Sequence, residues 1–273
     1  MDNMLRIGYH VSVAQSIDLA FDRAAEMTCN TMQIFVSNPR GWEIKAIPAE
    51  QVKKFIQKSK TFDVAPVAAH MPYLPNLAST KVETYRKSVG SLDKTIALCA
   101  ELGVPYLVTH LGSHLGKGRD EGIKNVINAI NQAEGLSKVR LLLENTAGQT
   151  NSVGSKLDEL AEIYDGVSGK VGFCLDTCHT FAAGYDITKA ETIDQIDREL
   201  GLEKIQLIHL NDAKFGLGSH LDRHENIGKG FMGREGFRKF LSYRTIKDKP
   251  MILETPENFP DELKLVRKLA NEG

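Results

Sequence analysis

RLLLENT, residues 140–146, and VGFCLDTC, residues 171–178, are the stretches on which the fold turns. Each is a short, nearly unbroken apolar run, and each reaches a carboxylate at its end, Glu144 in one and Asp176 in the other. Runs of this kind suit strands buried on both faces, the condition of a parallel sheet covered by helices. Six others have the same form: LRIGYHVS from Leu5, TMQIFVS from Thr31, VAPVAAH from Val64, YLVTHLG from Tyr106, IQLIHLND from Ile205 and PMILETP from Pro250. Stretches with apolar residues at helical spacing lie between them, among them 16–27, 81–102, 121–136 and 188–200. Eight βα units in about 250 residues is the arithmetic of an α/β fold of the TIM-barrel type, (β/α)8. An open doubly wound sheet would need a glycine-rich dinucleotide fingerprint after the first strand, where the sequence is instead HVSVAQS. No linker or low-complexity segment divides the chain, so residues 1–273 are expected to form one barrel domain. The longest loop, 214–233, is rich in glycine and charge, which marks it as functional rather than as a boundary.

Composition narrows the class without choosing a function. The 273 residues are 42% hydrophobic and 25% charged, ordinary for a globular protein, and no apolar stretch approaches the length of a membrane span. The start, MDNMLRIGYHVS, lacks the cationic and long apolar regions of an export signal, and four cysteines are too few for a disulfide scaffold. A cytoplasmic protein is expected. One barrel can bury its own core, so a monomer without an obligate protein partner is expected too. Lys and Arg total 34 against 35 for Asp and Glu, a formal charge of −1 that gives nucleic-acid binding no support. Three bound divalent ions would move that total to about +5 and concentrate the added charge in one cleft.

Six of the eight runs carry a potential metal ligand at their C-terminal end: His70, His110, Glu144, Asp176, His209 and Glu254. A barrel holds its active site at that end of the strands, so residues spread along the chain would converge there. One such residue could be a cap or a solvated polar group; recurrence on successive strands points to a constellation. His179, three residues after Asp176, and Asp222 and His224 in the long loop bring the set to nine. Five imidazoles and four carboxylates suit zinc. They are too many for one ion and enough for three, and clustered divalent metals suit phosphoryl chemistry.

HMPYLPNLA from His70, LLLENTAGQ from Leu141, GFCLDTCHTFAAGYD from Gly172, HLNDAK from His209, DRHENIGKG from Asp222 and ILET from Ile252 resemble, in order, the motifs of endonuclease IV, the second family of abasic-site endonucleases. The resemblance implies a first zinc on His70 and His110, bridged by Glu144 to a second held by Asp176, His209 and Glu254. It implies a third on His179, Asp222 and His224. A hydroxide shared by the first two would attack the phosphorus 5′ to an abasic sugar, leaving a 3′-hydroxyl and a 5′-deoxyribose phosphate, with removal of 3′-blocking groups as a further activity. Double-stranded DNA containing abasic sites is the implied partner. Arg40 in SNPRGW, together with Tyr73 and Leu74, matches the residues that the family inserts at the lesion, where a missing base lowers the unstacking cost. Pro75 departs from the pattern and, by fixing φ and removing a donor, bears on the shape of that loop.

Other residues have plainer readings. Cys174 and Cys178 flank Asp176 and read as small buried apolar residues rather than thiolate ligands. His10 and His114 are placed to orient ligands from behind, and His220 reads as solvated loop. Lys214, Arg223 and Lys229 are candidate phosphate contacts, and Trp42 either packs or stacks. Two rival functions remain in view. A sugar isomerase or epimerase of the same fold would have no need of His179, Asp222, His224 or the wedge. A non-catalytic binder of damaged DNA would use a closed, often thiolate-rich zinc site.

Overall fold

In the computed structural model, which describes residues 5–256 and 260–272, ten strands follow in order. They are β1 (Ile7–Tyr9), β2 (Met32–Ile34), β3 (Val67–His70), β4 (Tyr106–His110), β5 (Arg140–Glu144), β6 (Val171–Asp176), β7 (Ile205–His209), β8 (Asp212–Ala213), β9 (His224–Glu225) and β10 (Met251–Leu253). Eight of them form one parallel sheet in the order β1-β10-β7-β6-β5-β4-β3-β2. A parallel bridge between His10 and Gln33, with Val11 N donating to Gln33 O at 2.7 Å, joins the two ends and closes the barrel. β8 and β9 stand apart as a small antiparallel hairpin. The helices are α1 (Leu19–Glu26), α2 (Ala49–Thr61), α3 (Val82–Leu102), α4 (Arg119–Gln132), α5 (Leu157–Gly166), α6 (Thr177–Ala182), α7 (Ala190–Leu200), α8 (Gly233–Ser242), α9 (Arg244–Lys247) and α10 (Pro260–Glu272). None is long and apolar enough to cross a membrane among the described residues.

The unbroken apolar runs are explained by two cores. Ala68, Val108, Leu142, Cys174, Leu207 and Ile252 form a small buried cluster of their own, one residue from each of six neighbouring strands, which fills the barrel. Their sequence neighbours Ala69, Leu107, Leu143, Phe173, Ile208 and Leu253 belong to the larger cluster against the helices. Strand side chains alternate between faces, so both sets must be apolar when both faces are covered.

All eight expected strands are present and shorter than the runs that signal them, three to six residues each. Helix ends differ for local reasons. The spacing over 121–136 predicts a helix throughout, yet α4 stops at Gln132 because Ala133 is extended and Gly135, at φ 85°, turns the chain. The loop 214–233 is not wholly irregular: Asp212 pairs with Glu225 and Ala213 with His224, so its base is a hairpin.

Candidate metal centre

Two positions beyond each residue of the inner cluster stands one of the candidate ligands. Ala68 precedes His70, Val108 His110, Leu142 Glu144, Cys174 Asp176, Leu207 His209, and Ile252 Glu254. Period two keeps each pair on one face, so six polar side chains project from the same end of the barrel that the apolar ones fill. His179 joins them from the first turn of α6, where Asp176 is the N-cap and accepts from His179 N at 2.8 Å. His224 is carried by β9, with Asp222 just before it. The cavity above has a volume of about 430 Å³, and His70, His110, His179, Asp222, His224 and Glu254 are among the residues that line it.

Three groups in this set are close enough to share an ion: His70, His110 and Glu144; Glu144, Asp176, His209 and Glu254; and Asp176, His179 and His224. Glu144 belongs to two of them. Its Oε2 lies 3.1 Å from His70 Nε2 and 3.0 Å from His110 Nε2, and its Oε1 lies 2.9 Å from His209 Nδ1. The third group has Asp176 where the expected trio had Asp222; Asp176 Oδ2 is 3.6 Å from His224 Nε2. Asp222 reaches the same two imidazoles, with Oδ1 3.2 Å from His179 Nε2 and 3.5 Å from His224 Nε2.

Hydrogen bonding behind the rings decides which nitrogen faces the cavity. Nδ1 of His70 lies 2.7 Å from Met71 O, that of His179 3.0 Å from Asn145 O, and that of His224 2.9 Å from Glu254 O. A carbonyl oxygen only accepts, so these Nδ1 atoms carry hydrogen and Nε2 is the atom each ring turns to the cavity, a lone pair when the ring is neutral. Those nitrogens face carboxylate oxygens, and Nε2 of His179 and of His224 is buried without a hydrogen-bond partner. A neutral ring would set a lone pair against a carboxylate in this dry pocket, so the arrangement calls for positive charge there, as a proton on Nε2 or as a bound cation in its place. The ionisation equilibria reflect the same excess of negative charge. Burial alone would lower the His179 pKa, but Asp176, Asp222 and Glu144 hold it up at about 10. Burial would raise Glu144, yet His110 and His209 keep it well below the usual carboxylate range. The donor set, nitrogen and oxygen without sulfur, fits divalent zinc.

Several residues that the sequence reading did not single out, most of them inside the motifs quoted above, hold this arrangement. Asn145 accepts from Asp176 N at 2.7 Å and donates to Thr180 Oγ1 at 3.0 Å. Asn211 donates to Asp176 Oδ2 at 2.7 Å and accepts from Glu254 N at 2.8 Å. Glu262 on α10 accepts from Thr255 Oγ1, Ile227 N and Asn226 Nδ2, and so joins the chain beyond Glu254 to the chain beyond His224. Asp212 accepts from the backbone of Gly228, Gly230, Met232 and Gly233. Gly230 has no room for a side chain, since a Cβ there would sit 2.4 Å from Ala213 O. The available signal was position: Asn145 directly follows Glu144, and Asn211 stands two residues past His209.

The expected wedge residues lie together at the rim. Tyr73 N donates to Pro39 O at 2.9 Å, which ties the Arg40 loop to the Tyr73–Leu74 loop, and Tyr73 and Leu74 are 59% and 40% exposed. After Pro75 the chain is pinned by Asn76, which exchanges hydrogen bonds with Ser113. Lys214, Arg223 and Lys229 lie in the long loop, and Phe215, Leu217, Leu221 and Phe231 add exposed apolar groups to it, a feature not anticipated. Trp42 is partly exposed. His10 lies beside Glu254 and Gln33 as a residue orienting a ligand would, whereas His114 instead accepts from Gly118 N in its own loop. His220 is not merely solvated, its backbone N–H bonding to Ala182 O. Burial pushes the Cys174 thiol up to about 12 and Cys178 up as well, and neither cysteine belongs to the groups close enough to share an ion among the described residues.

A barrel with nitrogen and oxygen donors gathered at its C-terminal strand ends defines a class of enzymes, and residues 21–269 match the family model AP_endonuc_2, described as a xylose isomerase-like TIM barrel. The probable endonuclease 4 of Methanoculleus marisnigri is 48% identical over 262 residues, 93% of each chain. The crystal structure of endonuclease IV from Thermus thermophilus superposes with a TM-score of 0.88 at 35% identity, covering 98% of this chain and 100% of that one. A D-tagatose 3-epimerase-like protein shares the fold at 20% identity, with a TM-score of 0.74 over 98% of this chain and 99% of that one. The chain belongs to the endonuclease IV family of hydrolytic endonucleases.

Proposed function

We propose that the protein is a zinc-dependent DNA-repair endonuclease that hydrolyses the phosphodiester 5′ to abasic sites, leaving a 3′-hydroxyl and a 5′-deoxyribose phosphate, and that it also removes 3′-blocking groups. The observation that carries this reading is the convergence of imidazole nitrogens on Glu144, Asp176, Asp222 and Glu254 at one end of the barrel. Three zinc ions are proposed. His70 and His110 would hold one, Asp176, His209 and Glu254 a second, with Glu144 between these two, and His179, Asp222 and His224 the third, with Asp176 close enough to contribute. When bound, such ions supply an activated nucleophile and Lewis-acid charge at the entering and leaving oxygens of a phosphodiester.

The chain's own residues do the rest. Asn145 and Asn211 hold Asp176, the first through its backbone and the second through its carboxylate, and Asn211 also fixes the backbone at Glu254. Arg40, Tyr73 and Leu74 are proposed to enter the duplex at the lesion, a role supported by their shared rim and by the exposure of Tyr73 and Leu74. An apolar wedge there must offset an unstacking cost of a few kcal/mol, smallest where a base is already missing. Lys214, Arg223 and Lys229 would meet phosphates along the same face.

The test is an end-labelled duplex carrying one abasic site, beside an intact duplex, with and without prior chelation of the protein. Metal-dependent incision immediately 5′ to the site with a 3′-hydroxyl end is expected. Failure of the zinc-replete protein to cut, with turnover of a free ketose instead, would replace this reading by the epimerase one.

A further inference from the structure

Gln33 is a fully buried amide in the middle of β2. Its neighbours Met32 and Ile34 belong to the core against the helices, so its side chain faces the barrel interior, where the other strands present apolar residues or candidate ligands. Gln33 Nε2 lies 2.7 Å from Glu254 Oε1 and 3.1 Å from His10 Nδ1, and its Oε1 lies 2.9 Å from His209 Nε2. Only one orientation of the amide is consistent with these contacts. Reversed, it would set its carbonyl oxygen against a carboxylate oxygen. With the NH2 on Glu254 and His10, both of its hydrogens are used.

The consequence reaches His209. The Gln33 carbonyl can only accept, so His209 Nε2 carries the hydrogen and, in the neutral ring that a metal needs, Nδ1 is the lone pair. That Nδ1 sits 2.9 Å from Glu144 Oε1 and 3.3 Å from Glu254 Oε2. His70, His179 and His224 make their outer hydrogen bond to a backbone carbonyl and present Nε2. His209 is turned the other way, and a side chain determines it. We infer that Gln33 is the positioning residue of the central metal site, holding His209 in the tautomer that offers Nδ1 and fixing one oxygen of Glu254 in the same grip. The inference rests on the metal reading proposed above.

Two measurements on the full-length chain test it. The first compares Gln33→Met, similar in size and unable to hydrogen-bond, with the unaltered protein, reading zinc bound per chain and its dissociation constant by chelator competition. The metal-free forms should melt within a few degrees of each other, while the affinity of one zinc falls about 10- to 100-fold, the range for lost outer partners of a ligand. The second uses the unaltered protein loaded with zinc and 15N-histidine. The His209 ring should show hydrogen on Nε2 and metal on Nδ1, a result that does not depend on the variant folding. Equal zinc affinity in Gln33→Met, or a His209 ring protonated on Nδ1, overturns the inference and leaves the proposed function standing. An unaltered protein that binds no zinc overturns both.

Discussion

Glu144 is fully buried, and each of its two oxygens faces a different set of imidazoles. That geometry sets it between two of the groups close enough to share an ion. Glu144→Gln keeps the volume and removes the charge, so the fold should survive while zinc content and incision fall together. The loss of incision is expected to be on the order of 100-fold or more, since a lost ligand removes several kcal/mol of charge stabilisation. Circular dichroism, metal analysis and cleavage of an abasic duplex check this; undiminished cleavage would exclude a bridging role.

Among the elements, the hairpin of β8 and β9 is tied to the glycine-rich turn that follows it by Asp212, which accepts from four backbone N–H groups there. Asp212→Ala would leave those donors without their acceptor, at a cost of about 1–3 kcal/mol for each that stays buried and unpaired. Faster amide exchange over residues 226–233 is expected, with weaker zinc binding at His224, and exchange no faster than in the unaltered chain would refute the anchoring role. A second element contact joins α2 to the turn before α1. Lys58 lies 3.0 Å from Asp18 Oδ2 and also bonds Asp22. Burial would raise the Asp18 pKa, but the Ser16 hydroxyl and the Lys58 ammonium bring it below its usual 3.8. A depressed folded pKa contributes stability above the unfolded value and loses it as pH falls through the folded one. Lys58→Met should therefore cost about 1 kcal/mol or less near pH 7, the range of screened pairs, and the difference should shrink below about pH 4. Urea melts at the two pH values decide it, and an equal difference at both would remove the ion pair as the cause.

For the whole molecule, the apolar clusters stand apart from the proposed metals, whereas the end of the barrel gathers the carboxylates and imidazoles that such ions would hold together. Removal of bound ions leaves carboxylates and imidazoles crowded without cations, so chelation should lower the melting temperature and zinc should restore it. A ligand at about a hundred times its dissociation constant stabilises by about 2.7 kcal/mol per site. The helical circular-dichroism signal should persist at room temperature after chelation, and a melting temperature indifferent to zinc would count against binding by the folded state.

How much of this is written locally can be seen from two kinds of residue. The alternation Val108-Thr109-His110 or Leu142-Leu143-Glu144 is complete within one strand, because period two needs no distant partner, and so the barrel and the six candidate ligands at its strand ends were legible in the sequence. The Asp-Thr-Cys-His cap that brings Asp176 to His179 is local in the same way. Gln33, Asn211, Asp212 and Glu262 carry no such mark, since a buried polar residue reads like a solvated one until its partner is known. Their partners come from closure of the chain: Gln33 meets Glu254 across 221 positions, and Tyr9 meets Glu262 across 253. The sequence by itself determined the barrel and the end of it at which the candidate ligands would gather. Only the tertiary structure decided that Asp176 enters the third group, which nitrogen each histidine presents, and what holds it there, because hydrogen-bond direction is set by groups that meet only in three dimensions.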